Sequence, residues 1–444
     1  MAVRDSYGAP LTTSATAADA YVRGVGRLLR LQPDAAVPVA EALAHDPTFA
    51  LAHAALALLG HEQCAEVDVA ARLRDARLHA ARGTDRERSH VRAVASHVAG
   101  DSAPLVRHLG EHPTDALLLA TAVPTIAFAG VSEVPEDAWR IVERAAPAYG
   151  DDWWATGLLA FVRQEQHRYD EAMDLSCRAL ALEPSAGHAA HARAHAHYET
   201  GDHAGGLGWM DSWLEGPGAG NDGRSHFVWH AALHELSLGD LDAVRARYEA
   251  QLLPAPALGC RALVDTGSLL HRWALTPDAT DVPGLDAVVA VVGRRTLEQP
   301  ATPFVALHAA VVLLATGDGD GLRRLASRSA HHEHPTHREV VAPLAEALRA
   351  MHAGRCSAAA DALAALESSL WRLGGSDAQR EVVEETRIAA LLRAGRYDEA
   401  RVLLDRRLDR RPAERDRHWR AAARAASEAA AERLSPASAG HPTP

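Results

Sequence analysis

Apolar residues recur along this chain at spacings of three and four, the period of a helix that buries one face. The pattern barely changes from residue 17 to residue 434. It predicts helices of about 11–18 residues, each followed by a break, and almost no stretch alternates as a strand would. The breaks carry the organisation. Gly-Asp stands at 100–101, 201–202, 239–240 and 317–318, and Gly-Arg at 354–355 and 395–396. Glycine there can take the left-handed cap of one helix, and the aspartate can cap the next. Asp46-Pro47, His112-Pro113 and Glu183-Pro184 end other helices, because proline cannot continue them. Residues 1–16 read as an extended arm before a first helix over about 17–31, and residues 435–444 as a disordered tail.

Two segments carry a fuller phrase, HRYDEAMDLSCRALALEPS at 167–185 and GRYDEARVLLDRRLDRRP at 395–412. A tyrosine packs at the turn, an alanine lets two helices approach, and a proline closes the unit. This phrase resembles the tetratricopeptide repeat, whose period is about 34 residues. About eight to ten such pairs fit between 17 and 434. Single pairs cannot bury their apolar faces alone, so they are expected to stack. The resulting fold class is all-α, one right-handed α-solenoid over 17–434.

The order of phrases along the chain resembles the tetratricopeptide repeat protein 38 family. The phrases are YGAPLTTS (7–14), DPTFALAH (46–53), HPTD (112–115), AHARAHAHYETGDHAGGLGWM (190–210), SHFVWHAAL (225–233), VDTGSLLHR (264–272) and GGSDAQREV (374–382). This chain departs by placing Tyr198 between the third histidine of its central helix and Glu199. The resemblance implies a tetratricopeptide-like solenoid and brings no assigned chemistry.

Composition narrows the partners. Hydrophobic residues make up 48% but aromatics only 5%, which suits close helix packing on small side chains rather than a β-sandwich. A net charge of −12 argues against nucleic acid. There is no lysine, so the basic residues are all arginine. Cys64, Cys177, Cys260 and Cys356 are too scattered for a disulfide framework or a thiolate zinc site. MAVRDSYGAPLTTS lacks the apolar core of a signal peptide, and no run of about 18 apolar residues follows. The expectation is a soluble cytoplasmic protein that does not enter a membrane.

The candidate chemistry is histidine. His191 and His195 are four residues apart, as are His226 and His230, so each pair shares a helix face. In the register of the repeats it resembles, a unit opening at residue 187 puts His188, His191 and His195 at its second, fifth and ninth positions. His226 and His230 take the second and sixth of the next unit. Such positions face the concave groove. Neighbouring first helices lie about 8–10 Å apart, so the quartet is a candidate site for zinc, iron, copper or manganese. His53, His188, Trp229, Asp265, Arg272 and His308 are the remaining candidate groove residues.

Other conspicuous residues have structural explanations. His197 points to a different face and reads as packing. The HHEHPTH run at 331–337 reads as a solvated loop, GGSDAQR as a helix cap, and the mixed charges of 411–424 as a solvated helix face. The chain lacks a phosphate loop, a dinucleotide fingerprint, a nucleophile elbow and an HExxH pair. Two functions are compatible with this groove. One is a ligand site, with a metal or with histidine acid–base chemistry acting on a small molecule. The other is a non-catalytic scaffold that holds a peptide or partner protein.

Overall fold

The computed structural model describes residues 3–62, 67–120 and 135–434. Among them every regular element is helical, from Ala15–Leu29 to Glu414–Leu434. The fold is all-α, as the periodicity predicts. The single β feature is an isolated bridge between Arg4 and Pro10. It belongs to a tight turn over residues 3–11, where an extended arm is expected. Asp5 folds this turn by accepting from the backbone N–H of Tyr7 and Ala9. The tail at 435–444 lies outside the described residues.

The breaks behave as their chemistry demands. Gly100, Gly201, Gly239, Gly317, Gly354 and Gly395 all take positive φ, between +67° and +92°. Asp202, Asp240 and Asp318 cap the following helices through N–H groups two or three residues inside them, at 2.7–3.1 Å. Asp46, His112 and Glu183, each followed by proline, are helix C-caps.

The chain clusters into two compact units. The first is Met1–Ala196 with Ser212–Arg224, and the second is His197–Asp211 with Ser225–Pro444. In the first, helices pack as successive pairs: Ala15–Leu29 on Ala36–His45, Ala50–Glu62 on Val69–Ala80, Asp85–Val98 on Ala103–Glu111, and Trp153–Glu165 on Tyr169–Leu182. First helices of neighbouring pairs also meet, with Ala50–Glu62 against Asp85–Val98. Helix Trp153–Glu165 crosses Gly187–Thr200 so closely that a side chain at Gly157 would lie 3.1 Å from Ala189.

In the second unit the pairs are Pro303–Ala315 with Gly319–Ala330, Ala342–His352 with Cys356–Leu366, and Asp377–Arg393 with Tyr397–Arg410. Helix Ser268–Leu275 packs against both Pro303–Ala315 and Asp377–Arg393. That second contact brings residues about 110 positions apart into one core. Among the described residues three single π turns interrupt the α pattern, at Tyr248–Leu252, Ala262–Gly267 and His337–Val341. Such turns are frequent at functional sites, and the middle one carries Asp265.

Candidate functional site

Four candidate histidines belong to the first unit. His53 is buried, and its ring lies 2.9 Å from the carbonyl of Pro47 and 3.1 Å from a guanidinium nitrogen of Arg72. Both ring nitrogens are therefore engaged with the protein. Burial is the main cause lowering its basicity. His188 is half-buried, and desolvation pushes it down to about 4. His191 and His195 meet along the helix face as their spacing predicts, Nε2 to Nε2 at 3.1 Å. Phe161 stacks on His191, with ring centroids 5.0 Å apart.

The second unit gathers the other candidates. His226 and His230, on helix Arg224–Leu238, have ring centroids 4.7 Å apart. Trp229, fully buried, stacks on His226 at 5.2 Å and is nearly parallel to it at 16°. Across from them Asp265 is buried in its π turn, and its Oδ1 lies 2.9 Å from Nδ1 of His226. A carboxylate oxygen accepts, so Nδ1–H of His226 donates, which fixes the tautomer that leaves Nε2 as the basic nitrogen. The second oxygen of Asp265, Oδ2, is buried with no hydrogen-bond partner among the described residues.

His308 lies on the helix that packs against the π turn of Asp265. It is fully buried on helix Pro303–Ala315, its Nδ1 is 3.0 Å from the carbonyl of Phe304, and its Nε2 has no hydrogen-bond partner among the described residues. Desolvation lowers it to about 4, against the opposing charge of Asp265. It is therefore neutral at physiological pH, and Nε2 is an unmatched acceptor when Nδ1–H serves Phe304.

Arg272 is also placed here by sequence, but its donors point elsewhere. They reach Glu385 at 3.0 Å, Ser268 Oγ at 3.3 Å and the carbonyls of Ala378 and Gln379. Those carbonyls belong to the GGSDAQR segment, whose Ser376 and Gln379 form a capping box, as its cap reading predicts.

Arg272 is one member of a buried network that sequence reading missed. Arg272, Arg407, Arg411 and Arg415 are buried with Glu199, Glu381, Glu385 and Asp416. Arg407 bonds Asp416 and Glu381 at 2.8 Å. Arg411 bonds Glu199 at 2.9 Å and Tyr198 Oη at 3.1 Å, and packs over the Tyr198 ring. Tyr198 donates to Glu381 at 2.8 Å. Tyr198 and Glu199 thus share one arginine. Burial alone would raise Glu385, but Arg272, Arg415 and Arg407 outweigh it and hold it at about 2. The solvated-face reading of 411–424 is corrected here. Arg411, Arg415 and Trp419 recur every four residues and are all buried. His337 corrects the solvated reading of 331–337. It is buried at the start of its π turn, with His332 stacked on it at 4.0 Å.

Among the described residues, the first unit holds two further clusters. Asp115 Oδ2 is 2.8 Å from His90 Nδ1, 3.0 Å from His108 Nε2 and 3.1 Å from Arg86. Glu62 lies 2.5 Å from His97, with His61 beside it. Each trio comes from helices that only the fold brings together.

The helix pairs define the class, an all-α protein of tetratricopeptide-like repeats. No family model matches the chain. Among solved structures it is similar to yeast Tom70, with a TM-score of 0.33 and 13% identity, covering 94% of this chain and 88% of that one. No helix among the described residues is long and apolar enough to cross a membrane.

Proposed function

We propose that the second unit binds a small polar molecule at His226, Asp265 and His308, and that His226 exchanges a proton with it. The observation that carries this reading is the half-satisfied carboxylate of Asp265. One oxygen orients His226, while the other is buried and unmatched. An unmet buried polar group costs about 1–3 kcal/mol, more for a charged one. A ligand donor at Oδ2 removes that cost, and the acceptor at His308 Nε2 offers a second point of recognition. Trp229 supports the stacked His226 ring and gives the base a fixed plane. A base oriented by a buried carboxylate is the arrangement that general acid–base chemistry uses.

A second reading, a divalent metal, is supported by the His191/His195 pair. Two nitrogens on one tetrahedral ion with bonds of 2.0–2.1 Å stand about 3.3 Å apart, and here they stand at 3.1 Å. Zinc, iron, copper and manganese are the ions to test. Membership of the tetratricopeptide repeat protein 38 family belongs to the same proposal and rests on the phrases from YGAPLTTS to GGSDAQREV.

Native mass spectrometry of the freshly purified, tag-free chain tests both readings beside elemental analysis. A small-molecule adduct present in the native protein and lost in Asp265→Asn supports the first. Stoichiometric metal lost in His191→Ala/His195→Ala supports the second. A peptide adduct indifferent to Asp265 would replace both with the interaction scaffold. A protein with no adduct, no metal and no thermal shift from a panel of small polar metabolites would end the proposal.

A further inference from the structure

Among the described residues of the first unit, two mixed clusters each bring a carboxylate to two imidazoles. In the His90–His108–Asp115 cluster the carboxylate oxygen that both imidazoles approach also receives Arg86 at 3.1 Å. The guanidinium fills the place a cation would take, and all three groups are buried. In that cluster a cation of the protein already sits on the shared carboxylate oxygen. The His61–Glu62–His97 cluster is built differently.

We infer that His61, Glu62 and His97 form a binding site for a divalent transition-metal ion of the zinc, nickel or copper class. His61 and Glu62 are the last two residues of helix Ala50–Glu62, and His97 is the next-to-last of Asp85–Val98. The two helices pack together. Each contributes the negative end of its dipole to the same neighbourhood, which favours a cation before any side chain is counted.

One ligand atom from each residue falls within 4.8 Å of the others. The closest approach is His97 Nε2 to Glu62 Oε1 at 2.5 Å, and His61 Nε2 is 3.9 Å from the same oxygen. In a tetrahedral N/O site the ligand atoms stand about 3.3 Å apart, so modest side-chain rotation reaches the required geometry. Ser102 Oγ sits 2.9 Å from Nδ1 of His97. In the metal-free protein Nε2–H of His97 donates to the Glu62 carboxylate; a cation would replace that proton between the two, and Nδ1–H would then donate to the Ser102 hydroxyl. Metal-ligating histidines commonly have such a partner on the other ring nitrogen. The Glu62 and His97 side chains are 8% and 5% exposed, whereas His61 is 41% exposed. Two ligands are thus held by packing. The third stands at the surface, where an ion enters and water can supply a fourth ligand. Two imidazoles and one carboxylate suit borderline ions better than calcium or magnesium, which prefer all-oxygen sets.

The test uses the full chain, stripped with a chelator and then titrated with ZnCl2 by calorimetry, with CoCl2 as a visible-absorption probe. The native protein is expected to bind one more equivalent than His61→Ala/His97→Ala. His61→Ala alone, at an exposed position, is expected to keep the fold by circular dichroism and weaken that equivalent about ten-fold or more. His191→Ala/His195→Ala keeps the equivalent, which separates this site from the metal reading above. Unchanged zinc stoichiometry and affinity in a folded His61→Ala/His97→Ala protein, or no zinc binding by the native chain, would overturn the inference.

Discussion

Asp115 in the first unit and Asp265 in the second are both buried carboxylates beside histidine, each 2% exposed. Their surroundings differ in completeness. Asp115 is approached by His90, His108 and Arg86 through one oxygen, and these partners overcome the effect of burial to hold it well below the usual carboxylate range. Asp265 has His226 on one oxygen and, among the described residues, no hydrogen-bond partner on the other. A saturated buried charge can be explained by the fold alone. An unsaturated one asks for something the chain does not supply.

The largest effects should come from breaking the saturated groups. Asp115→Ala removes the carboxylate shared by His90, His108 and Arg86, leaves half-buried Arg86 only its longer contact to Asp5, and is expected to cost about 3–5 kcal/mol of stability, read from urea unfolding. Glu385→Ala, which removes the nearest carboxylate of Arg272 and Arg415 while Arg407 keeps Asp416 and Glu381, should fall in the same range. Asp265→Ala should cost about 1 kcal/mol or less, since it removes an unmet oxygen together with one hydrogen bond. Equal costs for Asp115→Ala and Asp265→Ala would erase the distinction between the two aspartates.

Acid should reveal two stages of destabilisation. His203, His271, His308 and His337 are pushed down to about 4, with burial as the leading cause. Between about 6.5 and 4 the unfolded chain binds protons that the folded chain refuses, so stability falls as pH drops through that window. Glu385 is held at about 2 despite its burial. Its contribution is complete above its unfolded value near 4.5 and is lost as pH falls towards 2. Thermal melts from pH 7.5 to pH 3 should show Tm already falling in the first window. A flat Tm down to pH 4.5 would contradict the buried neutral histidines.

The parts legible in the sequence are those set by local chemistry. Each Gly-Asp break works because glycine needs only its own φ and aspartate only the next turn's N–H groups. The i, i+4 pairing of His191 with His195 is equally local, because helix geometry alone brings Nε2 to Nε2. The arginine–glutamate network was not legible. Arg411 and Glu199 are 212 positions apart, and interleaved charges look the same in sequence whether they face water or each other. The one available signal was the four-residue recurrence of Arg411, Arg415 and Trp419. Arg272 shows the same limit from the other side. The sequence placed it near the site, but its acceptors are Glu385 and two carbonyls of a distant cap. The incompleteness of Asp265 is a property of its surroundings, and no residue pattern announces it.

His308 gives the finest version of the comparison and the smallest expected effect on stability. It is fully buried, kept neutral, and has an unmatched Nε2. A residue retained only for packing would lose stability on replacement, whereas one retained for a ligand costs the fold something by being there. His308→Phe keeps a ring of similar shape and removes both the unmet acceptor and the group that refuses a proton. Stability at pH 7.5 should stay within about 1 kcal/mol of the native protein or rise. The loss of Tm between pH 6.5 and 4 should become shallower by about one proton's worth of slope. Any co-purifying polar molecule should be lost together with that unchanged or improved fold. A drop of several kcal/mol with the adduct retained would make His308 a packing residue, and would leave Asp265 and His226 to carry the site alone.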